Sequence, residues 1–359
     1  AQRGISRHIV RLVRSTPDPE SEIYAVKETV EEFATREYEA LRELGLRGAP
    51  SVSQIAIVNG RLTPQGEELP CAIVTRFLPY SLPYRVVLSG DVTQHDITNM
   101  ANALAYLLVR LHLLGFWWGD CSLSNTLFRR DADGFAAYLV DAETGEFQKN
   151  LSNGQREHDL ELARFNVAAE LEDLKLAGVL FPAMDPIRAS ESVITRYRKI
   201  WKALSEPQVL PANDRHAVER AMRSLQDIGF AVEEVDLQLA GDKSTLTFIP
   251  KLVAPNYHSL RLKELMGLET EEFQAKRILA SFDRFRSREI SRTPDKHEAA
   301  QRWLHEVFNK VVGSVPPDLQ GRVEDAQLFH EVLEHRWYLG EKAGIDVGLE
   351  KATADYIES

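Results

Sequence analysis

GFWWGDCSLSNTLFRRDADGFAAYLVDAETGEF, residues 115–147, sets a polar loop ahead of an apolar run that ends in acidic residues. Its first part, 115–128, is a loop rich in small polar residues. Its second, FAAYLVDAETGEF at 135–147, reads as a strand ending in an acidic turn. The informative spacing is Asp120-Cys-Ser-Leu-Ser-Asn125, followed 21 positions after Asp120 by Asp141. Phosphoryl transfer from a nucleotide needs a carboxylate near the acceptor hydroxyl. It also needs an amide oxygen and a second carboxylate to hold Mg²⁺ against the phosphates. D-x-x-x-x-N places the first two groups on one short loop, and a strand ending in Asp supplies the third. The bare spacing reads equally as a polar turn capped by Asn125, so its neighbourhood has to decide.

Upstream, residues 95–115 form an apolar, nearly all-round helical pattern, which argues burial. Further back, HIVRLVRS (8–15), EIYAVKE (22–28), SQIAIVNG (53–60) and LPCAIVTRFL (69–78) read as strands. Between the second and third lies TVEEFATREYEALRELGL (29–46), whose Val30, Phe33, Ala34, Tyr38, Leu41 and Leu44 approximate a helical stripe. Lys27 therefore ends a strand and precedes a helix bearing Glu37. A flexible ammonium that binds phosphates is usually held by a helical Glu. An exposed strand-end Lys and a solvated helix face account for each residue taken alone. Four elements in this order are hard to assign to coincidence.

In these residues the chain resembles the protein-kinase-like superfamily, especially the bacterial branch with lipopolysaccharide kinases and aminoglycoside phosphotransferases, over roughly residues 5–205. The resemblance implies an α+β, two-lobed fold: a small antiparallel-sheet N-lobe over 1–80 and a mainly helical C-lobe over 81–205. It implies ATP and Mg²⁺ as cofactors. By it, Lys27 matches the phosphate-binding Lys and Glu37 its partner, with Glu39 the alternative. Asp120 matches the catalytic Asp, and Asn125 and Asp141 match the metal ligands. LPCAIVTRFLPYSLPYR (69–85) resembles the fifth strand and the hinge facing adenine. There are departures. Only Gly4 precedes Lys27 where relatives carry a glycine-rich loop, Trp118-Gly119-Asp120 stands for His-Arg-Asp or His-Gly-Asp, Ser122 replaces a Lys, and Asp141-Ala142-Glu143 replaces Asp-Phe-Gly.

PQVLPAND (207–214) reads as a linker. Beyond it, 206–359 is expected as an accessory domain: a helix at 214–227, strands at 230–239 and 244–252 joined by a Gly-Asp turn, then helices at 259–288, 294–313 and 321–357. KELMGLETEEFQAKRILASFDRFR (263–286) and HEVLEHRWYLGEKAGIDVG (330–348) resemble a bacterial family of unknown function in which this unit is joined to a kinase-like region. Within it, His330/Glu334 and Glu331/His335 are i, i+4 pairs that could hold a metal or simply flank an apolar stripe. Arg284, Arg286, Arg288 and Arg292 form a basic cluster that suits either an anion or a helix end.

Composition bounds the rest. The 359 residues carry 43 basic and 54 acidic side chains, a net charge of −11, which argues against general nucleic-acid binding. The two cysteines, Cys71 and Cys121, are too few for a disulfide framework, and no apolar run suits a bilayer span. The opening AQRGISRHIVRLVRS has no secretory apolar core, and a start at Ala1 rather than Met leaves room for a preceding piece. The expected setting is the cytoplasm, and the expected partners are ATP, an unidentified hydroxyl-bearing acceptor and a protein meeting the C-terminal domain. Two functions fit: a phosphotransferase acting on a small molecule or glycoconjugate, or a pseudokinase that senses nucleotide or scaffolds a partner.

Overall fold

Short β-branched runs and a single helix build the beginning of the chain. The computed structural model describes residues 10–18, 21–90, 92–149, 151–212, 214, 216–239, 245–289 and 295–358. The chain divides into two compact units, 1–129 with 134–200, and 130–133 with 201–359.

In the first unit, β1 (Val10–Arg14), β2 (Ile23–Thr29), β3 (Gln54–Val58) and β4 (Cys71–Arg76) form an antiparallel sheet in the order β1-β2-β4-β3. The helix α1 (Glu31–Leu46) joins β2 to β3 and packs on β3 and β4. Its buried face is Ala34, Glu37, Ala40, Leu41 and Leu44. Val30 and Phe33, expected in the apolar stripe, are 56% and 40% exposed. The helix is rotated so that Glu37, not Phe33, faces inward.

β5 (Ser81–Pro83), α2 (Tyr84–Val87) and α3 (Gln94–Leu113) follow. A reciprocal capping box between Thr93 and Asp96 starts α3, and its apolar residues are buried on nearly every side. β6 (Phe116–Trp117), β7 (Thr126–Asp131), β8 (Gly134–Leu139) and β9 (Glu146–Phe147) come next, β8 packing on α3. They make a β5-β7-β8 sheet and a β6-β9 pair. The helix α4 (Asn153–Leu176) begins with a Ser152–Gln155 capping box, and α5 (Pro186–Ser205) follows it. A small antiparallel sheet with one helix, followed by a mainly helical part, is an α+β arrangement.

In the second unit the expected linker contains a strand. β10 (Gln208–Pro211) pairs with β12 (Thr245–Pro255), which also pairs with β11 (Phe230–Leu239), and α6 (Ala217–Asp227) packs on β11. The Gly-Asp turn expected between β11 and β12 lies outside the described residues. The long helical runs are divided. α7 (Tyr257–Met266) stops at Gly267, whose φ of 73° ends a helix without steric cost, before α8 (Glu272–Glu289) begins. α9 (Lys296–Trp303) passes through a π-helical turn (Leu304–Phe308) into α10 (Asn309–Gly313). Gly344, at φ 67°, separates α11 (Asp325–Ala343) from α12 (Leu349–Glu358).

The core of these helices centres on fully buried Trp303, stacked edgewise on Phe282 and Phe329. Carboxylates from elsewhere in the unit satisfy two helix starts. Glu272 accepts the His258 and Ser259 N–H groups of α7, and Asp131 accepts those of Phe273 and Gln274 in α8. No helix among the described residues is long and apolar enough to cross a membrane.

Candidate active site

The first unit brings Lys27, Glu37 and Asp141 together. Lys27 sits near the end of β2, Glu37 on the inward face of α1, and Asp141 just after β8. The Lys27 ammonium lies 2.7 Å from Glu37 Oε2, 2.9 Å from Asp141 Oδ2 and 3.3 Å from Glu143 Oε2. Glu37 is 1% exposed, whereas Glu39, the alternative partner, is exposed. Burial works against the Lys27 charge, but Asp141 and Glu37 outweigh it and raise its pKa. Burial, then repulsion from Asp141, pushes Glu37 up to about 8 against the opposing pull of Lys27. Although an attraction to Lys27 alone would lower Glu37, desolvation of an almost fully buried carboxylate is the larger effect. One ammonium thus faces three carboxylates, a donor set of hard oxygens with surplus negative charge that suits Mg²⁺.

The 119–125 loop holds the second group. Asn125 donates from its side-chain nitrogen to the backbone oxygen of Asp120 at 3.1 Å and to Asp120 Oδ2 at 3.0 Å. With that nitrogen engaged, its amide oxygen is the atom a cation would take. Asn166 donates to Asp120 Oδ1 at 3.3 Å and to the Cys121 carbonyl at 3.0 Å, so both Asp120 oxygens are oriented by amides. The two groups are tied by Trp118. The Trp118 indole N–H donates to the Asp141 carbonyl at 3.0 Å, and Thr144 donates to the Trp118 carbonyl at 2.8 Å.

The residues that shape this loop escaped the sequence reading. Asp159, fully buried on α4, accepts the Trp118 and Gly119 N–H groups at 2.8 Å each. It also faces His112 Nε2 at 3.0 Å, while His112 Nδ1 meets the Tyr197 hydroxyl at 2.7 Å. Glu170 accepts the Leu123 and Ser124 N–H groups at 2.8 and 2.9 Å. Asp159, Asn166 and Glu170 are spaced i, i+7 and i+11, which puts all three within an arc of about 40° on one helix face. That polar stripe in REHDLELARFNVAAELEDL was the available signal. In sequence Glu143 stands out only as part of the departure from Asp-Phe-Gly. Burial keeps the Cys121 thiol far above its usual pKa, and both cysteines are free. Gly4 lies outside the described residues. In the 69–85 run, β4 leads through 77–80 into β5, with Tyr80 exposed at φ 58°.

Residues 199–359 match a family described as Domain of unknown function (DUF4032). No match was found among curated proteins. Among solved structures, the chain is similar to one titled "WaaP in complex with acyl carrier protein". The two are 16% identical, with 63% of this chain and 87% of that chain covered and a TM-score of 0.37.

Proposed function

We infer that the first unit is an ATP- and Mg²⁺-dependent phosphotransferase that acts on a hydroxyl-bearing small molecule or glycoconjugate. The observation that carries this reading is Lys27 held by Glu37 against Asp141, tied through Trp118 to a loop in which Asn125 closes on Asp120. Lys27 positions the phosphates. Asp141 and Asn125 would hold Mg²⁺, with Glu143 beside Asp141, and the ion would supply charge neutralisation for the phosphates. Asp120 accepts the proton of the acceptor hydroxyl as its oxygen bonds to the γ-phosphorus and the bond to the β-phosphate oxygen breaks, releasing ADP. Ser122, standing where protein Ser/Thr kinases carry Lys, supports a non-protein acceptor. The second reading, a nucleotide-binding pseudokinase that engages a partner through 206–359, is favoured by the lone Gly4 ahead of Lys27.

The two aspartates separate these readings. Asp141→Asn should weaken Mg·ATP binding and turnover together. Asp120→Asn should leave nucleotide affinity nearly intact while lowering turnover by about 10²–10⁴. Calorimetric affinity beside ATP turnover, with autophosphorylation as the acceptor-independent assay, reads both. Turnover undiminished by Asp120→Asn would remove Asp120 from the chemistry. Absence of turnover in the native protein, with Mg·ATP affinity retained, would favour the pseudokinase.

A further inference from the structure

The second unit contains a separate cluster of metal-ligating atoms. Asp133, in the 132–133 turn, lies against His330 and Glu334, which are one helical turn apart on α11. His330 Nε2 is 2.9 Å from Asp133 Oδ1 and 3.4 Å from Glu334 Oε2, and the three ligand atoms lie within 4.8 Å of one another. The His330 side chain is only 2% exposed, and its Nε2 makes no hydrogen bond despite facing both carboxylates. A buried ring nitrogen aimed between two carboxylate oxygens without a hydrogen bond is costly unless something accepts its lone pair.

The turn carrying Asp133 is held firmly. Asp131 caps α8, and Gln327 pairs with both the N–H and the carbonyl of Ala132 at 3.1 and 3.2 Å. Arg277 takes Asp133 Oδ2 at 2.5 Å while Oδ1 points at His330. Asp133 is therefore presented by a fixed backbone, and His330 and Glu334 by one helix face. Such pre-organisation favours a bound ion over a fluctuating surface ion pair.

We propose that Asp133, His330 and Glu334 bind a divalent first-row transition-metal cation of the Zn²⁺ type, linking the 132–133 turn to α11. One imidazole nitrogen and two carboxylate oxygens form a borderline donor set that suits Zn²⁺ or Mn²⁺ better than Mg²⁺ or Ca²⁺. Two carboxylates and one guanidinium leave a net negative site to receive the dication.

The test is calorimetric titration of the chelator-treated full-length chain with Zn²⁺ and, separately, Mg²⁺. One tight equivalent of Zn²⁺ and no comparable Mg²⁺ binding at this site are expected. Glu334 is largely exposed, so Glu334→Gln should fold normally by metal-free thermal melting while weakening Zn²⁺ by at least about 10–100-fold. Glu334→His, which restores a ligand without the charge, should retain binding. Asp141→Asn, in the other carboxylate cluster, should leave it unchanged. Should Glu334→Gln fail to fold, Asp133→Asn reads the same loss. Absent Zn²⁺ binding, affinity unchanged in Glu334→Gln, or loss in Asp141→Asn alone would each overturn the site.

Discussion

Lys27 and Asp141 are 114 positions apart in sequence and 2.9 Å apart in space. Their contact joins the end of β2 to the residues just after β8, and Glu37 and Glu143 meet the same ammonium. The charges do not balance, since three carboxylates face one cation. Burial and Asp141 hold Glu37 above its usual pKa, which lessens the imbalance, and a divalent cation would relieve it further.

Lys27→Met should therefore cost up to about 3 kcal/mol, because it leaves buried carboxylates facing one another. Protonation of Glu37, whose pKa is already about 8, limits the loss at neutral pH. Added Mg²⁺ should raise the melting temperature of the variant more than that of the native chain. Equal Mg²⁺ responses would show that these carboxylates do not share a cation.

Glu170 should govern the order of the 119–125 loop. Glu170→Ala strips the acceptor from the Leu123 and Ser124 N–H groups, at a cost of about 1–3 kcal/mol. Amide exchange at Leu123 and Ser124 should accelerate while exchange in the N-terminal sheet stays slow. Uniform acceleration across the unit would mean that Glu170 supports overall stability rather than the loop.

The N-terminal sheet, the long buried helix and the order Lys27, Glu37, Asp120, Asn125, Asp141 were legible because periodicity and spacing are local. Glu37 was legible only as a helical carboxylate, since its burial depends on how α1 rotates against the sheet. The roles of Asp159, Asn166 and Glu170 were not read, because a polar stripe on α4 looks the same as a solvated face until the loop it serves is in place. In sequence β10 looks like linker because its PQVLP run is short and proline-bounded. Its strand character comes from pairing with β12, a tertiary contact. The 259–288 run has helical periodicity throughout, and only Gly267 carries the stop signal that divides it.

His112 makes the first unit sensitive to acid. Burial lowers its pKa against the opposing influence of Asp159, so the ring stays neutral in the fold between Asp159 and Tyr197. Below about pH 6.5 the unfolded chain takes up a proton that the folded chain does not, and stability falls as pH drops. The slope approaches about 1.4 kcal/mol per pH unit for one fully shifted group. His112→Gln should be less stable than the native chain at pH 7.5 yet lose less between pH 7.5 and 5. Chemical denaturation at the two pH values tests this, and parallel losses would exonerate His112.

The close approach of Gly145 to Phe116 should couple packing to the site. A Cβ at position 145 would fall 2.1 Å from the Phe116 ring, which is fully buried and packs at 4.9 Å from Phe147. Gly145→Ala should cost about 1–3 kcal/mol by overpacking. The displaced ring would press on β6, which leads directly into Trp118 and hence to the tie with the Asp141 carbonyl. Phe116→Leu alone should also destabilise, since it thins the same contact. In the double variant, however, the shortened side chain leaves room for the new methyl, so the two losses should not add. A coupling of about 0.5–3 kcal/mol is expected, with part of any lost nucleotide affinity recovered. Additive losses in urea denaturation would mean that the chain accommodates the methyl elsewhere, and that the β6–β9 pair does not hold Trp118 in place.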